Sequence, residues 1–416
     1  MKKVLLFTVS VCLVAALLIF SGASGRGPEA TNIKGAQTAK ATESAAPPQV
    51  ENVLKIGVPA ALTGTGSTDD ARILLGLHYA SSVSPTVEIG GVTYKVELVE
   101  TDTGGTKAGA ENAAKVLAEK KVAAVIGSFA SGNAQAALPL YDKAGISALA
   151  LCCTNAEAGR DNALFFRLGG TDTLYGGAAA NLAQSLEKRS AAVLTDSSDT
   201  SSQALGQAFT EAFQKLGGAC KSFSYVSGKK DYTSLAQDIQ SSGADVVFMA
   251  SGAEAGEDFL REARRQGVLC PVIGPAGWDA GLLLSDADYY SDSVYAVADY
   301  DGCGTDQVST DFAARFSAWV HDEKDASVKN GGSTYASSYS ALGYDAYMLL
   351  LKAFRSAGSA DAKAVSEAIH KTDYSGVTGA FSFDKSGNAM RTTACVKTID
   401  RKSARFDLVK SISIGG

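Results

Sequence analysis

The chain has 416 residues, 46% hydrophobic and 20% charged, which is ordinary for a globular protein and long enough for two α/β domains. Its 38 basic and 44 acidic residues give a formal net charge of -6 with no basic block, which excludes phosphate-dominated nucleic-acid binding. His78, His321 and His370 stand far apart and no C-x-x-C spacing occurs, so neither a metal site nor a cofactor is expected.

Lys2 and Lys3 precede an apolar run, Val4 to Phe20, and then small residues, so residues 1–25 read as a secretory signal. Cleavage near Ala23 or Gly25 would release the protein, whereas an uncleaved run would anchor it. Cys12 lies inside the apolar run rather than after it, which argues against a lipoprotein. Residues 26–50, rich in Ala, Gly, Ser, Thr and Pro, read as a flexible linker spanning roughly 30 Å. The expected location is the periplasm or the outer face of the cytoplasmic membrane. Six cysteines follow the signal: Cys152, Cys153, Cys220, Cys270, Cys303 and Cys395. Their even number permits disulfides in an exported protein, but a chain of this size does not need them.

From Val53 onward, β-rich runs alternate with stretches of helical spacing. In chain order the pattern predicts strand Leu54–Ala60, helix Arg72–Ser82, strand Tyr94–Glu100, helix Lys107–Lys120, strand Val122–Ile126, helix Ala134–Ala144 and strand Ala148–Leu151. After a break at Arg167–Asp172 come helix Leu174–Glu187, strand Ala191–Thr195, helix Gln203–Leu216 and strand Ser222–Val226. Helix Thr233–Ser241, strand Val246–Met249, helix Glu254–Gln266 and strands Val272–Gly274 and Val294–Ala298 complete the alternating part. Helices Thr310–Asp322, Tyr335–Ala357 and Ala360–His370 then follow one another, before short strands Phe381–Phe383, Ala394–Asp400 and Phe406–Ile414. Alternation of this kind predicts parallel sheets covered by helices on both faces, in two α/β lobes.

The stretch Val125–Glu157 carries the clearest chemistry. Two apolar strands deliver Ser128 and Ser131, then Thr154, to turns where helices begin. Along that edge of a parallel sheet, backbone N–H groups and the helix dipole favour an anionic ligand group. Helix capping explains the same residues, and capping and ligand contact are compatible. No G-x-S-x-G elbow, P-loop or H-E-x-x-H is present, so a binding role is expected, not catalysis. Cys152–Cys153 is the sole basis for a redox or hydrolytic alternative, and a vicinal disulfide there would be strained.

LKIGVPAALT at Leu54–Thr63, Gly76, VELVETD at Val96–Asp102, Val125–Gly127 and GVTGAFSFD at Gly376–Asp384 occur in one order. With these motifs the chain resembles the Leu/Ile/Val-binding protein family, the type I solute-binding proteins of ABC importers. The resemblance implies two Rossmann-like lobes joined by a three-segment hinge, with crossings near Gly169–Thr171, Asp299–Gly304 and Val377–Ala380. It places the N-terminal lobe at residues 51–169 plus 304–377 and the C-terminal lobe at 170–303 plus 378–416. It implies a monomer that captures a small carboxylate-bearing ligand, an amino acid of branched-chain type, and delivers it to a membrane permease.

By position, Ser131, Thr154 and the backbone of Cys152 would hold the ligand carboxylate, and Tyr339 would be an aromatic wall. The remaining positions depart from the family. Ala276 stands in GPAGW where the family has an acidic residue for the ligand ammonium. Thr200, Gly252 and Asp69 stand where aromatics are usual. The second lobe would then clamp the ligand through Asp196–Thr200 and Ala276–Asp279, with Trp278 filling one wall. A replacement for the missing carboxylate would be Asp69, Asp199 or Asp279. Otherwise the ligand is an organic acid or amide without an ammonium group. A sensor ectodomain working with a separate signalling partner is the alternative use of the same fold.

Overall fold

A computed structural model describes residues 52–416 except 128, 129, 227, 229, 230, 286–292, 303, 305, 392, 401, 403, 404 and 414–416. The expected signal and linker, Ser128 and Cys303 lie outside the described residues.

The first sheet has the order β2-β3-β1-β4-β5-β6. Its strands are β1 (Val53–Ala60), β2 (Thr86–Ile89), β3 (Val92–Asp102), β4 (Ala124–Gly127), β5 (Ser147–Ala150) and β6 (Phe165–Arg167). All pairings are parallel except β2 with β3. Helices α1 (Ser67–Val83), α2 (Lys107–Glu119) and α3 (Ser131–Ala144) belong to this half. Sheet residues such as Ile56, Ile126, Leu149 and Phe166 pack with the long helix Ser338–Ala357 in one core. Val125, Ala148 and Tyr141 pack on the opposite face. Near-continuous apolar strands are what a parallel sheet covered on both faces requires.

The β2 strand was not expected. TVEI alternates exposed and buried positions, and Gly90 and Gly91 both adopt positive φ (58° and 82°), joining β2 to β3 as a hairpin. Two consecutive residues in that region make the primed two-residue turn that hairpins favour.

The second sheet has the order β15-β14-β11-β10-β9-β7-β8. It comprises β7 (Ser190–Asp196), β8 (Ala219–Tyr225), β9 (Val246–Ala250), β10 (Val272–Gly274), β11 (Val294–Ala298), β14 (Thr393–Asp400) and β15 (Arg405–Ser413). Pairing is parallel from β8 to β11 and antiparallel where β14 and β15 join. Helices α4 (Asp172–Ser185), α5 (Thr200–Lys215), α6 (Thr233–Ser242) and α7 (Ala253–Arg265) cover it. Phe209 stacks on Phe248 with ring centroids 4.3 Å apart, fixing α5 to the sheet.

The chain passes between the sheets three times: after β6, after β11 and before β14. The third crossing lies later than Val377–Ala380. The hairpin of β12 (Tyr374–Gly376) and β13 (Gly379–Phe381) stays with the first half, and Phe381, Phe383 and Ala389 belong to its core. The cause is Asp345 on the long helix. Its carboxylate accepts from Tyr374 OH (3.1 Å), Val377 N–H (3.0 Å), Thr378 N–H (2.8 Å) and Thr378 Oγ1 (2.6 Å), pinning the hairpin turn. The crossing therefore falls around Met390–Arg391. Near it, Arg391 Nε donates to Leu168 O at 2.8 Å, and the Tyr175 hydroxyl accepts from Gly170 N–H (2.9 Å) and donates to Asp299. All three crossings thus lie in one hydrogen-bonded cluster.

Helix α1 crosses the long helix at touching distance. A Cβ at Gly76 would sit 2.0 Å from the Ser340 carbonyl oxygen, and one at Gly343 would sit 2.5 Å from that of Ile73. Gly76→Ala is therefore expected to lower stability by about 1–3 kcal/mol by forcing the helices apart, read as a lowered denaturation midpoint. An unchanged midpoint would contradict this contact.

Candidate ligand-binding site

The loops that follow the parallel strands, where α/β sheets bind ligands, meet across the two halves: Arg72 of the first reaches the Gly277 and Asp279 carbonyls of the second, and the space between them is here called the cleft. On the first side, Ser131 opens α3 and is 4% exposed; its Oγ accepts from Asn155 N–H at 3.3 Å. Thr154 follows β5 and is half-buried, with its hydroxyl on the carboxylate of Asp172 across the first crossing. The Asp172 N–H donates to Thr154 O at 3.0 Å. The turn between them is held from behind by Arg167, which is buried and donates to the carbonyls of Cys153, Asn155 (2.6 Å) and Ala158 (2.9 Å) and to Asn388 Oδ1.

Asp172 is the first residue of α4 and 8% exposed, and its Oδ1 has no hydrogen-bond partner. Burial raises its pKa, against the pull of the Thr154 hydroxyl and Arg167, while Asp199 nearby adds to the rise. A buried carboxylate oxygen left without a donor is costly, by about 1–3 kcal/mol or more.

Asp69, Arg72, Cys152 and Tyr339 meet at the other end of the cleft. Arg72 is 2% exposed and reaches from α1 to the second half: Nη1 donates to Gly277 O (3.2 Å) and Asp279 O (3.1 Å), and Nη2 donates to Gly277 O (3.2 Å) and Asp69. Its guanidinium lies 5.0 Å above the Tyr339 ring. Tyr339 packs against the cores of both halves and hydrogen-bonds the Cys152 thiol. Burial, with Asp70 and Asp69 beside it, pushes that thiol well above its ordinary range, so Cys152 stays protonated and a poor nucleophile. Cys152, Cys153, Cys220, Cys270 and Cys395 form no disulfide. Asp69 has a raised pKa because burial outweighs the attraction of Arg72. Its Oδ2 faces the second half, 3.3 Å from where a Gly252 Cβ would stand. The glycine in place of an aromatic is what gives Asp69 room.

The other expected residues divide. Asp199 caps α5 by accepting from Ser201 N–H at 2.9 Å, and it and Thr200 are exposed at the rim. Ala276 is buried against the second core. Trp278 is a correction: it is fully buried, donates Nε1–H to Ser251 O (3.1 Å) and Oγ (3.2 Å), and fills the space above Gly256 and Gly274. It packs in the second core, against Gly256 and Gly274, where a Cβ on either glycine would meet the indole. Asp279 is a second correction. It is fully buried and spent on Lys397 Nζ (3.0 Å), Tyr335 OH (2.6 Å), Ser338 N–H (2.7 Å) and Ser338 Oγ (2.8 Å), leaving nothing for a ligand.

Asp172 and Arg72, which the structure brings beside these residues, were not among those expected. Asp172 is the last residue of the predicted break, next to the helix cap Thr171. Arg72 is the one Lys or Arg of α1 and directly precedes the apolar run Ile73–Leu77. Among the described residues no cluster of His, Cys, Asp or Glu could hold a metal ion, and no helix is long and apolar enough to cross a membrane.

The chain is similar to known binding proteins. An amino acid binding protein of Pseudomonas aeruginosa is 29% identical over 53% of this chain, which spans 60% of that relative's length. Leu/Ile/Val-binding protein homolog 7 of Brucella abortus is 29% identical over 72% of this chain and 78% of its own. The solved leucine binding protein LivK of Thermotoga maritima is 26% identical and superposes with a TM-score of 0.76 over 87% of this chain and 99% of its own. A solute binding protein from R. palustris in complex with benzoate shares the fold alone, at 17% identity and a TM-score of 0.75 over 87% and 97% of the two chains. Residues 53–404 match the family described as Periplasmic binding protein, and the chain belongs to it, as a type I periplasmic binding protein.

Proposed function

We propose that this protein is the exported receptor of an ABC importer that captures an amino acid by closing its two lobes and presents it to a membrane permease. It works as a monomer, without cofactor or catalysis. The ligand carboxylate lies on the Ser131–Thr154 side, where helix α3 begins and N–H groups favour an anion. The ammonium lies against Asp172.

The partnerless Oδ1 of Asp172 carries this reading. A buried acceptor beside the site calls for a donor, and an ammonium supplies both hydrogen bond and opposite charge. Benzoate, the ligand of one structural neighbour, has no such donor. Ligand binding then appears as a population shift toward the closed form.

A thermal-shift screen of the protein against amino acids, their deaminated acids and benzoates tests this. An amino acid at 100 times its dissociation constant is expected to stabilise the fold by about 2.7 kcal/mol, with its deaminated analogue far weaker. A stronger shift from deaminated acids or benzoates would contradict the reading.

A further inference from the structure

We infer that the Asp69–Arg72 end of the cleft reads a carboxamide on the ligand side chain, so that the receptor selects amide-bearing over branched aliphatic amino acids. This rests on the amino-acid reading above. With the carboxylate at Ser131 and the ammonium at Asp172, the side chain has the Cys152–Tyr339–Arg72 end left to it.

That end is polar. Arg72 uses Nη1 and Nη2 on Gly277, Asp279 and Asp69, but its Nε–H is buried without a partner. Asp69 gives Oδ1 to Arg72, while Oδ2 turns toward Gly252 and Gly277 and takes no hydrogen bond among the described residues. One unused donor and one unused acceptor therefore stand side by side on the first turns of α1. A leucine or valine side chain would leave both unpaired in a closed cleft, which is costly. A side-chain carboxylate would suit Arg72 but would meet Asp69, with Glu254 close enough to raise the Asp69 pKa further. A primary carboxamide offers a carbonyl to Nε–H and an N–H to Oδ2, and adds no charge.

Calorimetric titration of the wild-type protein with glutamine, asparagine, glutamate, leucine and valine tests this, repeated on Asp69→Asn. That variant keeps the shape and the Arg72 contact and removes one negative charge. In the wild type an amide ligand is expected to bind at least tenfold more tightly than leucine or glutamate. In Asp69→Asn the amide-to-glutamate ratio should fall by about tenfold, with folding checked by its melting curve. Leucine or valine binding most tightly to the wild type would overturn this inference and leave the amino-acid receptor intact. So would an unchanged ratio in the variant. Binding of deaminated acids alone would overturn both.

Discussion

Replacing Asp279 by alanine is expected to lower folding stability by about 3–5 kcal/mol, the largest loss from any single side chain discussed. Lys397 is fully buried with its Nζ 3.0 Å from Asp279 Oδ2, and the Tyr335 hydroxyl is its other partner. Without the carboxylate, its charge would stand in the core with one neutral acceptor. The same substitution removes the acceptor for Ser338 N–H and Oγ, so the start of the long helix loses its tie to the second half. Chemical denaturation should show the loss, and adding Lys397→Met should restore much of it. A loss under about 1 kcal/mol for Asp279→Ala would show that the pair is not needed.

Asp172→Asn is expected to weaken amino-acid binding by about 30-fold or more, the cost of leaving a buried ammonium without its opposite charge. Binding of the deaminated acid should be unchanged or stronger. The pH dependence follows from the raised pKa of Asp172. Without ligand, the folded protein takes up this proton more readily than the unfolded chain, so this group favours folding more as pH falls through that window. An ammonium ligand prefers the ionised form. Affinity is thus fully present above the raised pKa and lost as pH falls through it, starting above the ordinary carboxylate range. Calorimetric titration across pH should show this slope in the wild type and not in Asp172→Asn. A variant that binds the amino acid as the wild type does would remove Asp172 from the site.

The parallel sheets were legible because strands buried on both faces leave long apolar runs such as Val125–Gly127 and Val246–Ala250, which few other structures need. Ser131 and Tyr339 do stand in the first turn of a helix, as their place in the pattern implied, whereas no helix follows Thr154: turns lead from it to β6, because the chain there returns to the sheet edge. The short, half-exposed β2 carries too little hydrophobic signal, and its turn glycines were the one clue. The third crossing was misplaced because GVTG reads as a hinge, whereas Asp345, some 30 residues earlier in the chain, decides where that turn sits. Asp279 and Trp278 looked like site residues because the loop after β10 reaches the cleft. What their side chains do depends on Lys397 and on Gly256, which no local pattern connects to them. Asp172 and Arg72 became readable only once the two halves were brought face to face.

The most direct test of the account is a crystal structure of the protein with the amino acid that gives the largest thermal shift. The ligand ammonium is expected within about 3 Å of Asp172 Oδ1, with the carboxylate at Ser131 and the turn before Asn155. A ligand whose ammonium lies elsewhere, leaving Asp172 Oδ1 still without a donor, would contradict it.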